Sequence, residues 1–105
     1  MERLEQLRQF VVDEPNDPFN RYALALELLK VDAEEARRLF EQLVESFPHY
    51  LPTYYPYAQL LIEMKASKKA EEVFALGIQR SRAAGDSKSL REIQALYNDW
   101  KYDTA

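Results

Sequence analysis

The sequence predicts an all-α protein built from six helices. Apolar residues recur at three- and four-residue intervals along almost the whole chain, and no alternating strand pattern competes with them. Prolines and one glycine-containing turn divide the chain into segments of helical length. The 105 residues are the size of one domain, and a hydrophobic fraction of 47% is sufficient for a packed core.

The first two helices are separated by a pair of prolines. The apolar stripe of the first helix consists of Leu4, Leu7, Phe10 and Val11. Pro15 and Pro18 are expected to close that helix and to open the second, because proline interrupts a helix interior but is accepted in the first turn. Residues 19–30 are apolar nearly all round, which is typical of a helix covered on more than one side.

The third helix has a predicted start and a predicted end. Asp32 is the expected N-cap, and Glu35 follows at the spacing of a capping box. Pro48 is expected to end the helix. The apolar stripe between them consists of Ala36, Leu39, Phe40, Leu43, Val44 and Phe47.

The fourth helix is rich in tyrosine and covers roughly residues 52–64. Pro56 is acceptable there if Thr53 is the cap, because the first helical N–H groups lack partners in any case, and otherwise a kink is expected. Ser67 is the predicted cap of the fifth helix, whose stripe consists of Ala70, Val73, Phe74, Gly77 and Ile78. After the break at Ala84–Ser87, a last helix is marked by Leu90, Ile93, Leu96, Tyr97 and Trp100.

The second to fifth helices form a repeat. Ala36-x3-Phe40 recurs 34 residues later as Ala70-x3-Phe74. The helices before these segments also correspond, with an offset of 33 residues: Arg21-x2-Leu24-Ala25-x2-Leu28 and Tyr54-x2-Tyr57-Ala58-x2-Leu61.

This repeat resembles the tetratricopeptide repeat family, whose pattern has a small residue on the first helix, Ala-x3-Phe on the second and a closing proline. Ala25 and Ala58 occupy the small position, and Pro48 is the closing proline of the first repeat. Two residues depart from the pattern, because Arg21 stands at an aromatic position and Arg82 stands where a second closing proline is expected. Gly77 replaces the usual alanine, which is expected to weaken its helix by about 1 kcal/mol.

The resemblance implies a right-handed α-solenoid of antiparallel helix hairpins in a single domain, residues 1–105. It places the first repeat at 18–48 and the second at 52–83, and it makes 1–14 and 87–101 the N- and C-terminal capping helices that a repeat stack needs. The N-terminal helix is also similar to the second half of a preceding repeat.

In this family, the first helices of the hairpins line a concave surface that binds a peptide or a helix. The matched positions of this chain are Phe19, Tyr22, Leu26, Leu29, Lys30, Tyr55, Gln59, Ile62 and Glu63. The resemblance therefore implies a largely apolar groove for an apolar or aromatic-bearing segment. The alternative is that these residues simply pack against neighbouring helices, as apolar residues at helical spacing often do.

Some family members bind acidic C-termini through a clamp of Lys, Asn and Arg. The matched positions here hold Tyr22 and Leu26 in one repeat, and Tyr55 and Gln59 in the other. Because the clamp residues are absent, we do not expect this chain to bind that class of ligand.

Composition excludes several functions. A net charge of −4 disfavours nucleic acid and anionic membranes as partners. The chain has no cysteine, only two glycines, and no apolar run like a signal peptide or membrane span, so we expect a cytoplasmic protein without a metal or cofactor. His49 is expected to be a surface turn residue, and the pairs Glu34-Glu35 and Glu71-Glu72 to be solvated, so we do not expect an enzyme.

Three roles of this chain remain open. The first is an adaptor or scaffold for an unknown protein or peptide. The second is a structural module that forms a homo-oligomer, because two full repeats are fewer than a stable stack usually has. The charge is uneven, with a net −5 in residues 1–50 and +1 in residues 51–105, which allows head-to-tail association, but we expect it to reflect a solvated charged face instead. The third is an accessory domain of an enzyme encoded elsewhere.

Overall fold

The computed structural model describes residues 2–104, and within them it contains six α-helices, one 3-10 turn and no strand. The helices are α1 (Glu2–Asp13), α2 (Pro18–Leu28), α3 (Ala33–Ser46), α4 (Tyr54–Glu63), α5 (Ser67–Ala83) and α6 (Ser87–Thr104). The 3-10 turn is Leu51–Thr53. The chain divides after Tyr50 into two compact units, of which the first contains α1–α3 and the second contains α4–α6. None of these helices, within the described range, is both long and apolar enough to cross a membrane.

Two aspartates cap the helices of the first unit. The backbone N–H of Phe19 donates to Asp17 Oδ1 at 3.0 Å, and Pro18 is the first residue of α2. As predicted, Asp32 caps α3, because the N–H of Glu35 donates to Asp32 Oδ1 at 3.1 Å. Each cap provides an acceptor for a backbone donor that has no partner inside its helix.

The capping box is only half formed. The carboxylate of Glu35 accepts hydrogen bonds from the guanidinium of Arg8, with Nη2 and Oε1 3.0 Å apart. This pair lowers the pKa of Glu35, chiefly through the hydrogen bond from Arg8. The side chain that was expected to return to its own helix start therefore connects α3 to α1.

The core of the first unit follows the predicted stripes with one exception. Its buried apolar residues are Leu4, Leu7, Leu24, Ala25, Leu28, Ala36, Phe40 and Leu43. Phe10 was predicted to join the stripe of α1 but is exposed. The buried line of α1 runs through Leu4 and Leu7 towards half-buried Val11, and Phe10 lies about 100° from Val11 around a helix of 3.6 residues per turn.

The second unit begins with a 3-10 turn that directly precedes α4. Pro56 is the third residue of α4, so it removes no N–H that would have had an intrahelical partner, and the predicted tolerance of Pro56 is confirmed. Thr53 is the N-cap as predicted, although its side chain makes no capping hydrogen bond with the described residues.

The turn between α4 and α5 differs from the prediction. Ala66 is the N-cap and Ser67 is already helical, so the prediction that Ser67 caps α5 was wrong. Lys65 has a positive φ of 61°, which reverses the chain at once after α4, and the N–H of Ala66 donates to the carbonyl of Leu61 at 2.9 Å. Because Lys65 adopts a left-handed conformation, α5 begins at Ser67, one residue earlier than it would if Ser67 were the N-cap.

The predicted break before α6 is confirmed. Gly85 has φ 68°, a conformation that glycine adopts without steric cost. Asp86 then caps α6, since the N–H of Ser89 donates to Asp86 Oδ1 at 3.0 Å.

Gly77 permits a close approach between α4 and α5. A Cβ at Gly77 would lie 2.9 Å from the Cβ of Tyr54 and 3.3 Å from a side-chain carbon of Ile93. The expected loss of helix propensity at Gly77 stays a prediction, and the structure adds a packing reason for glycine that the sequence did not indicate. The absence of a methyl group allows Tyr54 to pack closely against α5. The free energy gained from this packing offsets the loss caused by the lower helix propensity of glycine.

An aromatic cluster holds α6 against α5. The ring of Phe74 stacks on Trp100 with centroids 5.5 Å apart, and it contacts Tyr97 at 5.0 Å in a tilted arrangement. Phe74 and Ile93 are buried. The predicted last helix therefore packs through the stripe that its sequence indicates, and it continues to Thr104.

We predict that Phe40→Ala lowers the free energy of unfolding by about 3–5 kcal/mol, because it removes a fully buried ring and leaves a cavity. Chemical denaturation measures the change. Phe19→Ala is the matched control, because Phe19 is an exposed phenylalanine in the same unit. Equal losses for the two variants would show that Phe40 is not a core residue.

We also predict that Gly77→Ala destabilises the protein by about 1–2 kcal/mol, because the added methyl group overlaps Tyr54. Ala75→Gly, at an exposed position of the same helix, measures helix propensity alone and is expected to cost about 1 kcal/mol. A Gly77→Ala variant that is more stable than the wild type would contradict the close approach.

Candidate functional site

The expected site residues of the first unit lie on one side of α2 and in the turn that follows it. They are Phe19, Tyr22, Leu26, Leu29 and Lys30, and we call them the α2 surface. Phe19 is 56% exposed and Leu26 is 37% exposed, and Lys30 is exposed beyond them. Tyr22 and Leu29 are half-buried at the border of this stripe. Exposed apolar side chains therefore follow one line along α2.

The rest of α2 is occupied by packing within its own unit. Leu24, Ala25 and Leu28 are buried on the other side of the helix. Tyr22 stands between the two sides, and its ring contacts Tyr50 edge to face with centroids 5.7 Å apart. Phe19 and Leu26 are therefore the cleaner positions for testing a binding role, because Tyr22 also contributes to packing.

The expected site residues of the second unit lie on α4. They are Tyr55, Gln59, Ile62 and Glu63, and we call them the α4 surface. Tyr55 is 40% exposed, Gln59 and Glu63 are exposed, and Ile62 is half-buried. Their spacing of four, seven and eight residues from Tyr55 places them on one side of a helix. Tyr54, Tyr57, Ala58, Leu60 and Leu61 are buried in the core of this unit.

Tyr55 also borders a cleft that sequence reasoning missed. The cleft has a volume of about 360 Å³ and is lined by Tyr55, Glu92, Ala95, Leu96 and Asp99. We call it the α4–α6 cleft. The four residues of α6 recur at three-, four- and seven-residue spacing, which is a helical face in its own right. The apolar pattern does not indicate this face, because Glu92, Ala95 and Asp99 lie outside the apolar stripe of the last helix.

A polar cluster positions α6 on the side away from the cleft. Tyr97 Oη donates to Glu71 Oε1 and Lys101 Nζ donates to Glu71 Oε2, both at 3.0 Å. The hydrogen bond from Lys101 is the main reason that the pKa of Glu71 is lowered. The same carboxylate raises the pKa of Tyr97 and of Lys101. One glutamate of α5 thus holds two side chains of α6.

The residues considered for catalysis lie on different elements: Glu34 and Glu35 on α3, His49 in the turn after α3, and Glu71 and Glu72 on α5. His49 is exposed, beside a cleft of about 350 Å³ lined by Pro18, Ser46, Phe47, Pro48, His49 and Tyr50. Residues 2–104 contain no group of three or more His, Cys, Asp or Glu side chains placed to hold a metal ion. The glutamate pairs are engaged in ion pairs: Glu34 with Arg37, Glu35 with Arg8, Glu71 with Lys101 and Glu72 with Lys69.

Residues 28–91 match the family model described as tetratricopeptide repeat. The chain belongs to the tetratricopeptide repeat family. A solution NMR structure of a tetratricopeptide repeat domain protein from Salinibacter ruber is 42% identical, with a TM-score of 0.76, over 82% of this chain and 88% of that chain. A crystal structure of a tetratricopeptide repeat domain protein from the same organism is also 42% identical, with a TM-score of 0.75, over 81% of this chain and 96% of that one. No curated protein matches.

The family assignment confirms the all-α repeat fold that the Ala-x3-Phe pattern indicated. Tetratricopeptide repeat domains generally act as protein–protein interaction modules and are typically non-catalytic. The matched region includes the whole of α3, α4 and α5. Because a fold alone does not identify a binding partner, the chemistry of the α2 and α4 surfaces has to be considered.

The Glu71 cluster predicts a pH-dependent stability. The pKa of Glu71 is lower in the folded chain than its ordinary value. The hydrogen bonds of the ionised carboxylate therefore stabilise the fold at pH values above the ordinary carboxyl pKa. This contribution is lost as the pH falls through the lowered pKa. We expect Glu71→Gln to be less stable than the wild type at pH 7, and the difference to shrink as the pH falls below the ordinary carboxyl pKa.

Denaturant unfolding at several pH values measures this difference. Glu72→Gln is the control, because Glu72 is a neighbouring exposed glutamate whose partner, Lys69, belongs to its own helix. A Glu71→Gln difference that stays constant from neutral to acid pH would show that the carboxylate charge is not involved.

Proposed function

We propose that this tetratricopeptide repeat protein is a non-catalytic adaptor that binds a peptide or helix of a partner protein. The proposed contacts are the α2 surface and the α4 surface, each described within its own unit. The observation that carries the proposal is an exposed aromatic residue on the first helix of each hairpin, Phe19 and Tyr55. Aromatic side chains contribute much of the binding energy in protein interfaces, and their exposure to water is otherwise unfavourable.

The chemistry of the two surfaces narrows the ligand. Phe19, Leu26 and half-buried Leu29 favour an apolar or aromatic-bearing segment on α2. The α4 surface is more polar and ends at Glu63. Neither surface has the Lys, Asn and Arg of a carboxylate clamp, so the proposal does not include acidic C-terminal peptides. The net charge of −4 favours a protein partner over nucleic acid or an anionic membrane, and we place this interaction in the cytoplasm as part of the proposal.

We predict that a Phe19→Ala/Tyr55→Ala double variant loses a partner that the wild type captures from native cell lysate. Both side chains are exposed, so the variant is expected to fold and to keep its helical circular dichroism. Phe10→Ala/Tyr102→Ala is a matched control, because it also removes one exposed phenylalanine and one exposed tyrosine, neither of which belongs to the two surfaces. Mass spectrometry of the captured proteins is the readout.

Two results would contradict the adaptor role. Equal loss of the partner in both double variants would show that the α2 and α4 surfaces are not special. A stable dimer by light scattering that the Phe19→Ala/Tyr55→Ala variant dissociates, with no captured partner, would show that these surfaces serve self-association.

A further inference from the structure

The α4–α6 cleft combines apolar and acidic groups in one unit of the fold. Ala95 and Leu96 provide an apolar lining, and Tyr55 contributes an aromatic ring from α4. Glu92 and Asp99 are the charged lining residues, and both are exposed. The volume of about 360 Å³ lies within the range of about 300–1,000 Å³ that is usual for ligand sites. The cleft is therefore large enough to receive side chains of a partner.

The two carboxylates of the cleft differ from Glu71 and Glu72 of the same unit in having no ion pair. Glu71 and Glu72 are each paired with a lysine. Among the described residues, neither Glu92 nor Asp99 has an ion-pair partner within 4.0 Å. Lys88 precedes Glu92 on α6 by one turn but does not line the cleft. The cleft thus presents two carboxylates that form no ion pair with the described residues.

The spacing of these groups describes the complementary ligand. Glu92 and Asp99 are seven residues apart, which corresponds to roughly 10 Å along a helix, with Ala95 and Leu96 between them. A second helix with basic residues at positions i and i+7 and apolar residues at i+3 and i+4 has the same spacing with opposite charge. The ring of Tyr55 can further attract a cationic side chain through its negative face.

We propose that the α4–α6 cleft binds a basic amphipathic helix of a partner protein. This inference rests on the proposed adaptor function and adds the chemical class of the partner segment. Two Lys or Arg side chains pair with Glu92 and Asp99, and the apolar residues between them contact Leu96. An acidic helix is rejected, because it would bring like charges together at both ends of the cleft.

The probe is a fluorescently labelled, alanine-rich helical peptide with Arg at positions i and i+7 and Leu at positions i+3 and i+4. A second labelled peptide, with Glu in place of both Arg residues, is the control. Fluorescence anisotropy with the full chain measures both affinities. We expect saturable binding of the Arg peptide below about 1 mM and at least ten-fold weaker binding of the Glu peptide. Raising the salt from about 0.1 M to 1 M is expected to weaken the Arg complex, because the Debye length falls from about 10 Å to 3 Å.

A charge-reversed variant tests the location. Glu92→Lys/Asp99→Lys is expected to bind the Arg peptide at least ten-fold more weakly than the wild type and to gain binding of the Glu peptide. Glu14→Lys/Glu45→Lys changes the net charge equally at two exposed acids of the first unit, and it is expected to change either affinity by less than about two-fold. The gain of Glu-peptide binding is a readout that an unfolded variant could not produce.

Several results would overturn the inference. They are an absence of saturable Arg-peptide binding, equal weakening by both charge variants, and equal affinity for the two peptides. A wild-type dimer that Glu92→Lys/Asp99→Lys dissociates would also overturn it, because the occupant would then be a second copy of this chain. If a lysate partner is lost with Phe19→Ala/Tyr55→Ala but kept with Glu92→Lys/Asp99→Lys, the adaptor function stands and the basic-helix inference fails.

Discussion

Close packing of helices at small residues is the constraint on which the rest of this structure depends. Ala25, Ala36, Ala58 and Ala70 are completely buried, and Gly77 is buried against Tyr54. Small residues allow neighbouring helix backbones to approach, and larger side chains then fill the space beside each contact at high density. An added methyl group at such a position has nowhere to go, which is why a residue type that favours helices can still destabilise this fold.

This packing also produces the exposed surfaces. Each first helix buries one side against its own hairpin, so the residues on its other side are left to solvent or to a partner. Phe19 on α2 and Tyr55 on α4 are therefore exposed for a structural reason, although both are aromatic. In α4 the buried side is so extensive that only a narrow stripe, from Tyr55 to Glu63, is left.

Acidic side chains fall into two groups, those that form ion pairs within their unit and those that do not. Some acids form ion pairs with a neighbouring helix of the same unit, as Glu35 does with Arg8 and Glu71 does with Lys101. These exposed pairs orient helices more than they stabilise them, since solvent screens their attraction. Glu92 and Asp99, which line the α4–α6 cleft, have no ion-pair partner among residues 2–104, so their charges are not engaged in positioning a helix of the unit.

The sequence by itself determined the helices, the repeat and the family, because apolar spacing, the Asp32 cap and the Ala-x3-Phe pattern are local properties. The tertiary structure alone decided the partner of Glu35, the exposure of Phe10, the need for Gly77 and the lining of the α4–α6 cleft. Periodicity shows which side of a helix is apolar, but it does not show which helix lies against that side. Those four features depend on distances between residues far apart in the chain, and only the packed helices set those distances.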